Sequence, residues 1–267
     1  MTRPRLAVAL IALAALVTSG AEGQGGEGWT QSRLRRGFCI EFLADSGEVR
    51  DLLPDGAMPL RADRVGDLHP ALARAIREQP EFAAWAPAEI CYFVFDQLEV
   101  AGKQLQPTGT SGEMLGLFSI AARQLDDGGR GADVLRQLFS SNWRARKAVE
   151  NGEVKIETVP FTLGPIPKTS DERMTTKLGR TQLRWDGHVV VGDSAPVPGP
   201  LTRRWLVRGD DRRDRLMTLR LAPTSSRSMV GTLNVQGKDR LAKLLRASPI
   251  RYLGPEYRGG DGIIDFE

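Results

Sequence analysis

Phe38-Cys39-Ile40-Glu41-Phe42-Leu43, residues 38–43, is the stretch on which the fold reading turns. Phe38, Ile40 and Phe42 alternate with Cys39 and Glu41, the period-two pattern of a strand with one face in a core. Ile90-Cys91-Tyr92-Phe93-Val94-Phe95 is apolar on both faces, as suits a central strand. Each run carries one of the chain's two cysteines, so a Cys39–Cys91 disulfide between neighbouring strands is expected in an oxidising compartment. Closing that loop restricts the unfolded chain by about 4 kcal/mol on the chain-entropy model. Two separate buried thiols are the other reading of the pair.

The start of the chain points to such a compartment. Met1–Arg5 carries two arginines and no acid, 6–17 is an unbroken apolar run, and Ser19-Gly20-Ala21 offers small residues for cleavage. That is the pattern of a secretory signal peptide over 1–21, too short in its apolar part for the roughly 20 residues that span a bilayer. A periplasmic or secreted protein without a transmembrane span after processing is the expectation. Residues 22–36 read as a flexible leader and 37–267 as a single globular domain, with Gly164–Ser170 the one seam where two lobes would part.

Across that domain strands dominate. A helix is expected over 68–79, with His69 in its capping turn ahead of Pro70, and another over 238–247. The longest helix is expected over 132–150, where Leu135, Leu138, Phe139, Asn142 and Val149 share one side. Further strands are expected over 98–106, 115–123, 154–161, 229–235, 250–253 and 263–266. Asp186-Gly187 within 181–191 signals a tight hairpin in which Trp185 faces His188, and 201–221 forms a second hairpin around 209–213. The fold class is therefore α+β and strand-rich, an antiparallel β-sheet or sandwich/barrel core with about three packed helices.

Composition narrows the chemistry. Two cysteines and two histidines among 267 residues exclude a disulfide-dense scaffold, a four-cysteine zinc site and a His-rich metal centre, and no cofactor is indicated. Gly192-Asp193-Ser194 lacks both the glycine that follows the serine of chymotrypsin-like sites and the Gly-x-Ser-x-Gly elbow of α/β-hydrolases. Glu41 is the acid of interest. On the Cys39 face, desolvation would raise its pKa into a range useful for proton transfer, whereas on an edge it would be an ordinary solvated carboxylate; Glu157 has the same two readings.

Arg203, Arg204, Arg208, Arg212, Arg213 and Arg215 make the second hairpin a basic tongue and a candidate anion-binding site. Its partners would be an acidic envelope polymer, a lipid head group or a protein; nucleic acid is not expected after export. Trp185, His188 and Trp205 are candidate ligand-lining residues. The leading functional expectation is an exported, non-enzymatic binding or scaffold protein of a bacterial-type cell envelope, and the alternative is a hydrolase using dispersed carboxylates. A cavity lined by Trp185 and Trp205 would favour the first, and two carboxylates facing each other across a cleft the second.

Overall fold

The computed structural model describes residues 29–66, 68–100, 103–105, 112–124, 131–148, 156–197, 199–208 and 214–266, so the reading of a signal peptide lies outside them. In chain order the first elements are β1 (Trp29–Ala44), α1 (Ser46–Arg50), β2 (Ala57–Pro59), a 3-10 turn (Ala62–Arg64), α2 (Pro70–Glu78) and a second 3-10 turn (Pro80–Ala84). Next come β3 (Ala86–Val100), β4 (Lys103–Gln104), β5 (Glu113–Gln124), β6 (Gly131–Ser140), α3 (Trp143–Ala148), β7 (Ile156–Thr158), β8 (Phe161–Pro165) and β9 (Glu172–Leu178). The chain continues through β10 (Thr181–Pro196), β11 (Leu201–Arg208), β12 (Asp214–Leu221) and β13 (Ser225–Gln236). It closes with α4 (Arg240–Ala247), β14 (Arg251–Leu253), β15 (Glu256–Arg258) and β16 (Gly262–Phe266).

The two cysteine-bearing runs are halves of one long antiparallel pair, β1 with β3, in which Cys39 stands opposite Cys91 and the two are joined by a disulfide. Hydrogen-bonded neighbours then run β3-β5-β6-β11-β12-β16-β1, and the β1–β3 pairing returns the path to its start, closing a barrel. Alternation sorts the side chains. Cys91, Phe93, Leu117, Leu135, Trp205, Val207 and Met217 fill the interior. Phe38, Ile40, Phe42, Ile90 and Tyr92 point outward, where they pack against Met174, Leu183 and Trp185 of a second sheet, β8-β9-β10-β13-β15, and against Leu244 and Leu245 of α4. Both faces of β1 and β3 are thus apolar because both are covered. The strand-rich α+β fold, with helices as a minority, is what the sequence periodicity implies.

Two local readings are corrected. Residues 132–140 of the expected long helix lie in β6, and among the described residues of that stretch helix is confined to α3. The register steps from Gln137 opposite Phe118 to Leu135 opposite Ser119, so Arg136 is an extra residue in a bulge. That bulge brings Leu135 and Leu138, three apart, to the same interior face and imitates a helical repeat. Asp186-Gly187 is not a turn either, because β10 runs straight through it between β9 and β13. Gly187 stands opposite Gly231, and a Cβ on Gly187 would lie 2.7 Å from Cζ2 of Trp185. The glycines make room for the indole; they do not supply positive φ.

Other boundaries move. β1 begins at Trp29, inside the span read as leader. Of the residues read as a seam, Gly164 and Pro165 end β8, and 166–171 connect it to β9, with Ile166 N donating to Asp171 O at 2.8 Å. The expected helices near 68–79 and 238–247 are α2 and α4, capped by His69 Nδ1 and by the Asp239 carboxylate.

Candidate active site

Five neighbouring barrel strands each turn one polar side chain inward. Glu41 on β1 stands opposite Glu89 on β3, Glu89 opposite Ser119 on β5, and Asp133 on β6 opposite Trp205 on β11. Arg203, two residues before Trp205, shares its face. The connection from β2 to α2 brings Leu60, Arg64, Val65, Leu68, His69 and Leu72 over this row and encloses a cavity of about 810 Å³.

Hydrogen bonds converge on one oxygen. Glu89 Oε1 accepts from Arg203 Nη2 at 2.7 Å, from Ser119 Oγ at 3.1 Å and from Trp205 Nε1 at 3.3 Å. Ser119 Oγ in turn accepts from Trp205 Nε1 at 3.2 Å. Arg203 also lies 3.6 Å from Asp133 Oδ2, so one guanidinium serves two acids. Its side chain is 45% exposed while that of Glu89 is 8% exposed, which puts the cation at the mouth and the carboxylate in the wall.

Among the described residues Glu41 has no such donors. Burial, and then the neighbouring Glu89 charge, push its carboxyl up to about 7, with Arg203 pulling the other way. Keeping it ionised costs about 3 kcal/mol relative to water. Asp133 is raised to about 6 by burial first and Glu89 second. His69 accepts the α2 cap bond on Nδ1 and stacks on Tyr252 with ring centroids 3.9 Å apart. Burial lowers its pKa, so the ring is neutral near pH 7 and carries its proton on Nε2.

The Cys39 and Cys91 sulfurs lie with a Glu89 oxygen within 4.8 Å of one another, directly behind the carboxylate pair. Bonded to each other, they are not thiolate ligands, so this grouping is not a metal site.

Of the candidate residues, Glu41, Arg203 and Trp205 come together here. Trp185 and His188 do not: Trp185 is wholly buried in the core outside the barrel, and His188 is exposed, with Nδ1 2.9 Å from Asp171 Oδ1. The joint lining by Trp185 and Trp205 is therefore absent, because the two indoles belong to opposite faces of the barrel wall. Arg204 is exposed on β11 and Arg215 is partly buried on β12, while the side chains of Arg208, Arg212 and Arg213 lie outside what the structure describes. Glu157 is exposed and accepts from Gln137 Nε2 at 2.8 Å, and Ser194 is exposed on β10.

Glu89, Ser119 and Asp133 were not among the candidates. A signal for Glu89 exists in the mirrored spacing Cys39-x-Glu41 and Glu89-x-Cys91: once the cysteines are paired across antiparallel strands, the two glutamates must also be opposite and on the same face. Asp133 was hidden inside the misread helix.

No protein-family model matches this chain, and no curated protein matches it in sequence. Among solved structures, an acetoacetate decarboxylase from Legionella pneumophila aligns at TM-score 0.50 and 11% identity over 90% of this chain and 85% of that one. The enduracididine biosynthesis enzyme MppR, complexed with a condensation product of pyruvate and imidazole 4-carboxaldehyde, aligns at TM-score 0.49 and 14% identity over 98% and 96%. An acetoacetate decarboxylase-like enzyme from Sphingomonas wittichii aligns at 0.45 and 13% over 91% of each chain. The first of these likenesses shows the fold. The expectation of a non-enzymatic binding or scaffold protein is corrected accordingly. The architecture is shared with an enzyme. Glu41 and Glu89 are side-by-side partners on paired strands, not carboxylates facing each other across a cleft.

Proposed function

We propose that this protein is an acid–base enzyme acting on a short oxo carboxylic acid, removing carbon dioxide from a 3-oxo acid through its enol. The observation that carries the reading is Glu41, a carboxyl pushed up to about 7 beside Glu89, whose charge is compensated by Arg203. Two acids whose environments separate their protonation states are the usual basis of an acid–base pair. The fold shared with an acetoacetate decarboxylase supports the substrate class.

Arg64 at the rim and the exposed side of Arg203 supply positive charge for the substrate carboxylate. An anion bound there raises Glu41 further, so the acid is protonated in the complex at neutral pH. Glu41 then gives its proton to the ketone oxygen while the bond to the carboxylate breaks, its electron pair entering the enol and carbon dioxide leaving. Return of a proton to the enol carbon, with loss of the oxygen-bound one to Glu41, completes the balance. None of the described lining residues is lysine, so the route uses oxygen protonation in place of an imine.

The test is carbon dioxide release and deuterium incorporation from acetoacetate and longer 3-oxo acids in D2O, comparing the wild type with Glu41→Gln. Turnover above the spontaneous rate that disappears in the variant is expected. Equal rates in both proteins across the series would overturn the reading.

A further inference from the structure

A second cavity, of about 840 Å³, adjoins the first and shares Leu60 and Arg64 with it. Arg50 from the last turn of α1, Arg61 just before the first 3-10 turn, Arg64 at its end, and Arg123 on β5 opposite Met58 all line it, and no carboxylate does. Arg61 is held by Asp63 through two bonds of 3.0 and 2.8 Å. Among the described residues Arg50 and Arg123 make no ion pair with a carboxylate, and the Arg64 charge is felt only by Asp63, which Arg61 already holds. Like charges gathered around one concavity repel each other, and a multiply charged anion relieves that repulsion while matching the guanidinium forks.

We infer that this second cavity binds a phosphate group, and that substrates of the adjoining acid site carry it as a tail, with Arg64 at the junction. The tail assignment rests on the enzymatic reading; phosphate binding itself does not. Arg50 and Arg123 are exposed, so removing them leaves the packed core intact.

Calorimetric titration of the full chain with inorganic pyrophosphate at physiological salt tests the cavity. Saturable binding is expected, weakened about tenfold or more by Arg50→Ala with Arg123→Ala, and unchanged by Arg204→Ala, which removes an exposed charge from another strand. Absence of saturable binding, or equal weakening by Arg204→Ala, would overturn the inference. For the tail, turnover is compared between two 3-oxo acids that differ only in a terminal phosphate. A preference for the phosphorylated one that vanishes in the double variant supports it, and turnover with no preference overturns it. If neither acid is turned over, the enzymatic reading fails and the tail assignment falls with it, while the pyrophosphate titration still decides the cavity.

Discussion

Glu41 and Glu89 stand directly opposite each other on β1 and β3, two residues along from the bridged Cys39 and Cys91 and on the same face. The disulfide is thus a clasp behind a pair of like charges. Two carboxylates in that position repel, and strands joined only by backbone hydrogen bonds would relieve the repulsion by parting. Burial first, and the Glu89 charge held beside it second, favour the protonated form of Glu41.

Stability should therefore fall as pH rises. Glu41 binds its proton more tightly in the folded protein than its ordinary value of 4.5, so the folded state is favoured in full below about 4.5 and loses about 3 kcal/mol by about pH 7. Asp133, raised to about 6, adds a loss of the same sign at slightly lower pH. Glu41→Gln should flatten the Glu41 part of this slope and be more stable than the wild type at pH 8. Urea unfolding at pH 4 and pH 8 measures both.

Arg203→Met should move the acids in one direction. The guanidinium lowers Glu41 and Asp133, so its loss raises both above about 7 and about 6. Carboxyl carbon chemical shifts followed through a pH titration would show it. Unchanged midpoints would mean that Arg203 does not face these groups in solution.

Replacing both cysteines by alanine should lower stability by about 4 kcal/mol, the chain-entropy value for a loop of 52 residues. Burial is the larger cause of the raised Glu41 carboxyl and does not depend on the bridge, so in the same variant the Glu41 midpoint should stay raised and fall by no more than the Glu89 contribution. Denaturant midpoints and the carboxyl titration report the two effects separately.

Gly187→Ala should destabilise by about 1–3 kcal/mol or more, since the new Cβ meets the Trp185 indole and the β13 backbone. Gly199→Ala is the control: a Cβ there meets nothing within 4 Å, and the change should stay within about 0.5 kcal/mol. Thermal unfolding together with Trp185 fluorescence separates a local repacking from a general loss.

What the sequence determined by itself is what short-range pattern encodes. Alternation along 38–43 and 90–95 marks β1 and β3, a lone pair of cysteines in those runs marks the bridge, and helical spacing marks α2, with His69 in its capping turn, and α4. From the bridge, even the Glu41–Glu89 opposition was within reach, because the register of an antiparallel pair is set by one known contact. The rest was decided by tertiary structure. Period-two pattern is blind to which strands are neighbours, so nothing local said that β6 and β11 would bring Asp133 and Arg203 to Glu89. A one-residue bulge at Arg136 turned a strand's period into a helix's, and a glycine kept small beside the Trp185 ring made Asp186-Gly187 look like a turn. Burial raises Glu41 only once the barrel has closed around it and the segment from β2 to α2 has covered the opening, and both are properties of the assembled fold.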